Sequence, residues 1–193
     1  MKVAVIGAGI IGIATAYELS ADGHEVHVFE RRSAAAEETS FANAGIVAPG
    51  YVFGAHGPVR WTWPLGASDI GWLRRHRRAR RPETQLATQR QLQPLAAYSR
   101  EHLRALTQAL RLPYERSEGL LVLLRDARDQ ERAQPGLQLL RELGVPFHEV
   151  PAHVARVVEP ALNPETALLG AIHVPGDGVG NCRQFALQLK DEA

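Results

Sequence analysis

A chain of 193 residues with 45% hydrophobic and 22% charged residues has the balance of an ordinary globular protein and can bury one good core or two small ones. A formal net charge of +1 excludes a global pull toward nucleic acid, and a single cysteine, Cys182, excludes an internal disulfide framework and fits a reducing, cytoplasmic setting. No stretch approaches the roughly 20 apolar residues that span a bilayer, and the opening apolar run is broken by glycines and then by Glu18 and Asp22, which does not match a signal peptide.

Val3 to Ile6 reads as a short buried strand ending at Gly7. The spacing predicts a helix from Ile11 to Ala21, with Ala16 and Leu19 turned to the strands and Gly23 at the left-handed C-terminal position. Val26 to Phe29 reads as a second strand, Val26 and Val28 facing inward and Glu30 at its end. Residues 33–50 are rich in Ala, Ser and Gly and close on a Pro49-Gly50 turn. Glycines, prolines and tryptophans from Tyr51 to Gly71 predict irregular structure.

A helical pattern runs from Thr84 to Leu110, with Leu92, Leu95, Leu103, Leu106 and Leu110 on its apolar face and Pro94 expected to kink or break it. Gly119 to Leu124 reads as a strand, and a helix near Asp129 to Leu143, disturbed by Pro135, ends at Gly144. Val145–Val150 and Leu168–Val174 are expected strands, with a short helix at His153–Val158 between them. Pro175-Gly176-Asp177-Gly178 reads as a turn, and Asn181 as the N-cap of an amphipathic helix carrying Phe185, Leu187 and Leu189.

Gly7, Gly9 and Gly12 form G-x-G-x-x-G between the first strand and the first helix. The first glycine permits the tight turn, the second lets backbone approach a pyrophosphate, and the third lets helix and strand pack closely. Phosphates then sit at the helix N-terminus, where unpaired N–H groups and the helix dipole favour negative charge. Glu30 stands where a carboxylate accepts hydrogen bonds from ribose hydroxyls. The unit is therefore a Rossmann-like dinucleotide-binding β-α-β, with Gly7, Ala8, Gly9, Ile11, Gly12 and Glu30 as candidate contacts. Glu30 opposes a 2′-phosphorylated ribose, whereas the adjoining Arg31 and Arg32 suit one, so these two residues leave that choice open.

Beyond Glu30, the small side chains of Glu38-Thr-Ser-Phe-Ala-Asn-Ala-Gly-Ile-Val-Ala-Pro-Gly-Tyr51 suit a backbone lying against something flat and polar. With the fingerprint, Thr39-Ser40-Phe41-Ala42-Asn43-Ala44-Gly45 and Pro49-Gly50-Tyr51 resemble the D-amino acid dehydrogenase small-subunit family of FAD-dependent amino-acid and amine oxidoreductases. Tyr98-Ser99-Arg100, Glu159-Pro160-Ala161-Leu162 and Val179-Gly180-Asn181-Cys182-Arg183-Gln184-Phe185 extend the resemblance along the chain. It implies FAD as the dinucleotide, with Ser40, Asn43, Ala44 and Gly45 along its pyrophosphate and flavin side. It also implies a reaction: a D-amino acid gives a hydride to the flavin, the imino acid hydrolyses to a 2-oxo acid and ammonia, and electrons pass to an acceptor such as a membrane quinone. A cytoplasmic protein, peripheral to the inner membrane where that quinone resides, is the corresponding expectation.

The sequence departs from the family's pattern in two places. The stretch between Tyr51 and Trp61 is short, and the strands that return to the FAD domain, with the substrate-carboxylate arginine, are not found. The expected architecture is α/β: residues 1–50 as the first part of an FAD domain, 51–174 as part of an α+β substrate domain, and 175–193 as a helix returning to the FAD domain. An incomplete sheet of this kind implies a truncated or split member that is inactive alone or needs a second half-chain. Oxidation of glycine or an N-methyl amino acid is the neighbouring enzymatic reading, and the stretch after Glu30 disfavours an NAD module.

Other features carry less chemistry. The run Arg74-Arg75-His76-Arg77-Arg78-Ala79-Arg80-Arg81 suits anionic lipid or a phosphate-bearing partner but reads first as a solvated helix face, without any nucleic-acid-binding motif. The eight histidines show no metal spacing, Cys182 reads as a small packed residue, and the sequence identifies no catalytic side chain.

Overall fold

The computed structural model describes residues 1–50 and 66–193. The elements in chain order are β1 (Lys2–Ile6), α1 (Ile10–Ala21), β2 (Glu25–Phe29), β3 (Ile46–Val47), α2 (Ala67–Ala79), α3 (Pro82–Ala109), β4 (Arg116–Leu124), α4 (Ala127–Glu142), β5 (His148–Pro151), α5 (Ala152–Val158), β6 (Gly170–Gly180) and α6 (Cys182–Asp191). The chain divides into two compact units, one of Met1–Val47, Arg100–Gly119 and Asp177–Ala193, the other of Ala48–Ser99 and Leu120–Gly176.

The first unit opens with the expected β-α-β. β1 and β2 pair in parallel, with Val3 opposite Val26 and Val5 opposite Val28. α1 packs on them through Ile13 and Ala16, which are buried, and Gly23 takes φ +79° beyond its end. Val26 is half-buried as expected, but Val28 is exposed, because among the described residues this parallel sheet has two strands. The core lies beside α1, where Ala8 and Ile13 meet Phe185 and Leu189 of α6, Leu103 and Leu106 of α3, and Leu110 just beyond its end. Tyr114 meets the Phe185 ring edge-on at 5.2 Å. Asn181 caps α6 as its residue type predicts, its side chain accepting from the Gln184 N–H at 3.1 Å.

In the second unit Leu137 and Leu140 of α4 are fully buried against Ile172 and Val174 of β6 and Leu124 of β4. Burying each of these leucines stabilises by about 1.5–3 kcal/mol. The second sheet has the order β3-β6-β4, and β5 also pairs with β6. β5 is antiparallel to β6, with Val150 opposite Ala171. Among the described residues no helix is long and apolar enough to cross a membrane.

Three expectations are corrected. Residues 51–65 lie outside the described part of the expected irregular stretch, but Ala67–Gly71 are helical. There the Asp69 carboxylate accepts from the Gly66 N–H at 2.7 Å and starts α2. Pro94 does not break α3, nor Pro135 α4. Each proline removes one donor, yet both prolines and the residues four positions earlier, Arg90 and Glu131, are exposed, which lowers the cost of the lost hydrogen bond. Pro175-Gly178 is strand rather than turn. A Cβ on Gly178 would stand 2.5 Å from the Ser117 carbonyl, so this glycine serves a close strand approach. Asp177 points inward with no solvent exposure and faces Arg100 at 3.7 Å.

Candidate functional site

The glycine-rich turn follows from three separate backbone demands. Gly7 takes φ +98°, closed to most side chains, and its N–H donates to the Phe29 carbonyl at 2.7 Å. A Cβ on Gly12 would fall 1.8 Å from the Gly7 carbonyl oxygen, so the helix start lies directly on the turn. A Cβ on Gly9 would come within 3.2 Å of Ser40 Oγ, so a side chain here would press on that hydroxyl.

The amides at the start of α1 are partly served by the protein itself. Ile10 N–H donates to Ser40 Oγ at 3.0 Å and Ala8 N–H to Glu30 Oε2 at 2.7 Å. Among the described residues nothing accepts from the amides of Gly9, Ile11 or Gly12. Three free N–H groups at the positive end of a helix form a site for an anion.

Glu30 is fixed from two sides, since Arg32 N–H donates to Oε1 at 2.9 Å while Ala8 holds Oε2. The Ala8 N–H, then the Arg32 N–H, hold its pKa below the ordinary glutamate value, against a smaller opposing effect of burial. It is thus an ionised acceptor in a set orientation, and each oxygen keeps a lone pair for a hydroxyl donor.

Arg31 and Arg32 are exposed, and both are paired. Glu38 Oε1 accepts from Arg31 Nε at 3.1 Å, from Arg31 Nη2, and from Arg32 Nε at 2.8 Å. Those two arginines hold the Glu38 pKa below its ordinary value. Gly7, Gly9, Glu30, Arg31, Arg32 and Ser40 line a common cleft of about 370 Å³.

The remaining candidates stand elsewhere. Ile11 is 77% exposed, and Ala8 is buried in the core beneath the turn. Asn43 Oδ1 accepts from Gly45 N–H at 2.8 Å, Gly45 takes φ +59°, and a Cβ there would fall 2.0 Å from the Gly180 carbonyl. Asn43 and Gly45 therefore form a turn seated on the end of β6, beside the exposed Ala44, and none of the three lines the cleft.

Sequence reasoning missed Glu38 and Ala36. Ala36 is buried at φ +57°, a strained backbone for alanine, and its N–H donates to the Ala8 carbonyl at 2.9 Å. The acidic pair Glu37-Glu38 within a run of small residues was the one signal available for Glu38, and nothing in the sequence marked Ala36. The arrangement fits an adenine dinucleotide: free amides for linked phosphates, glycines where a Cβ would obstruct, and a carboxylate placed for a ribose.

Parallel strands, a glycine-rich turn and an anchored carboxylate beside it together define a unit of the dinucleotide-binding class. Residues 2–193 match the FAD dependent oxidoreductase family (DAO), and the chain belongs to it; its dinucleotide is FAD. It is 34% identical over 209 residues to a D-amino acid dehydrogenase of Phenylobacterium zucineum (strain HLK1), a match covering 99% of this chain and 49% of that protein. The fold is similar to glycine oxidase from Geobacillus kaustophilus, with a TM-score of 0.72, 26% identity, and coverage of 98% of this chain and 43% of that one. Glycine oxidase from Bacillus cereus ATCC 14579 shares the fold at a TM-score of 0.67 and 22% identity, over 99% of this chain and 43% of that one. The chain spans about half the length of the curated relative it matches.

Proposed function

We propose that this chain holds the ADP part of FAD in the cleft beside Gly9 and serves the oxidative deamination of D-amino acids to 2-oxo acids. The observation that carries the reading is the pairing of three unclaimed helix-start amides with an ionised, doubly anchored Glu30. In this role Gly9, Ile11 and Gly12 donate to the pyrophosphate, Glu30 accepts from the ribose, and Ser40 holds the Ile10 amide and borders the phosphates. FAD, when bound, supplies the acceptor for the hydride leaving the substrate α-carbon. In this reading the substrate-carboxylate arginine belongs to the part of the relatives that this chain does not span. The electron acceptor in this reading is a quinone.

The second reading, oxidation of glycine or an N-methyl amino acid, is supported by the likeness to glycine oxidase. Titration of the purified chain with FAD and NADH side by side tests the cofactor role, with FAD expected to bind more tightly. Equal affinity for NADH, or no binding of FAD, refutes it. Substrate-driven bleaching of the flavin across D-amino acids, glycine and N-methyl amino acids then separates the two substrate classes.

A further inference from the structure

Among the described residues, two that are not glycine take a left-handed backbone. Arg111, at φ +52°, follows the end of α3, where chains commonly adopt this conformation. Ala36, at φ +57°, follows no helix; it lines the nucleotide cleft and is 2% exposed. The left-handed backbone brings Cβ against the following carbonyl oxygen and disfavours alanine. Strain of this kind persists where surrounding contacts over-determine it, and it gathers at ligand clamps. The contact made here is the Ala36 N–H, which donates to the Ala8 carbonyl at 2.9 Å.

The effect of that bond falls on Gly9. Ala8 C=O and Gly9 N–H belong to one planar trans peptide and point in opposite directions. A carbonyl held by Ala36 therefore turns the Gly9 N–H away from Ala36. The amides on either side are taken, Ala8 N–H by Glu30 Oε2 at 2.7 Å and Ile10 N–H by Ser40 Oγ at 3.0 Å. Glu30, Ala36 and Ser40 thus grip the turn at three points from the stretch after β2, and among the described residues nothing accepts from the one amide between. Without the Ala36 bond, the Ala8–Gly9 plane could swing by rotation about Ala8 ψ and Gly9 φ, and glycine resists such rotation least of all residues.

We propose that Ala36 is a positioning residue for the cofactor: its left-handed backbone fixes the Ala8–Gly9 peptide so that the Gly9 N–H is presented to the FAD pyrophosphate. This rests on the reading that the ADP part of FAD occupies the cleft. The test is nuclear magnetic resonance of the isotope-labelled 193-residue chain titrated with ADP and with adenosine, which lacks the phosphates. In the wild type the Gly9 amide signal is expected to move with ADP and to stay in place with adenosine. Ala36→Val introduces a β-branched residue that the left-handed region excludes. It is expected to weaken ADP binding about tenfold, the equivalent of one hydrogen bond to a charged group, and to leave adenosine binding unchanged. Ala36→Gly takes the same φ without strain and is expected to keep both affinities and the Gly9 response.

Circular dichroism checks that Ala36→Val folds. If it does not, the wild type decides: its Ala36 amide must resist hydrogen exchange and its Gly9 amide must move with ADP, and failure of either overturns the proposal. In the folded variant, equal losses of ADP and adenosine would mark a structural role and overturn it. Undiminished ADP binding by Ala36→Val, or an equal loss in Ala36→Gly, does the same. A wild-type chain that binds neither ADP nor FAD refutes the cofactor reading itself and this inference with it, whereas the other failures leave that reading standing.

Discussion

Replacing Gly12 with alanine puts the architecture of the turn to a quantitative test. The added methyl would stand 1.8 Å from the Gly7 carbonyl oxygen and 3.0 Å from its carbon. Ordinary contact is about 3.5 Å, so one partner must retreat by roughly 1.7 Å. The partner is backbone, and Gly7 is tethered by its N–H to the Phe29 carbonyl at 2.7 Å, so the retreat strains β2 as well as the turn. Overpacking of this kind costs about 3 kcal/mol, at the upper end of its usual range. Alanine in place of glycine in a helix returns about 1 kcal/mol, leaving a net loss of about 2 kcal/mol. Gly23→Ala is the matched control: nothing stands within 4 Å of its Cβ, and only its φ of +79° opposes the change, by about 1 kcal/mol. Urea denaturation followed by circular dichroism reads both differences. If Gly12→Ala proved as stable as wild type, helix propensity would have prevailed and the close approach of α1 to the turn would be disproved.

The acid dependence of stability follows from Glu30. Its folded pKa lies below 4.5, so its stabilisation is fully present above that ordinary value and is lost as pH falls through the folded one. The gap in urea midpoint between wild type and Glu30→Gln should therefore be widest near neutral pH and close in acid; a gap independent of pH would count against the Ala8 and Arg32 anchors. Glu38→Gln frees Arg31 and Arg32, which should improve binding of 2′,5′-ADP relative to ADP by about tenfold in calorimetric titrations. An unchanged ratio would show that Glu38 does not restrain them. In the second unit, Leu137→Ala opens a cavity at a side chain with no solvent exposure and should cost about 2–5 kcal/mol by the same denaturation assay.

The parts legible in the sequence were those whose cause is local. Gly7, Gly9 and Gly12 announce themselves because turn, bare amide and close packing each exclude a Cβ within six residues of chain. Asn181 and Gly23 are read as easily, since a cap is a matter of one residue and its neighbours. Pro175-Gly178 misleads because proline and glycine usually mark turns, whereas here Gly178 answers to Ser117, some sixty positions away. Pro94 misleads differently: a break was one of its two expected effects, and at an exposed position the lost hydrogen bond is too cheap to end a long helix. Glu38 was hidden because its role consists of two partners, Arg31 and Arg32, brought to it by a loop without periodicity.

The packing of α6 on α1 bears on how the protein is made. The nucleotide turn leaves the ribosome early, but Phe185 and Leu189, which close the core beneath Ala8 and Ile13, are synthesised some 170 positions later. A nascent chain therefore carries the fingerprint through the synthesis of those residues with one flank of its helix unprotected, exposed to holdase chaperones and to proteases. Grafting the first fifty residues onto another scaffold would reproduce that immature state, because the fingerprint's support is encoded far downstream of it.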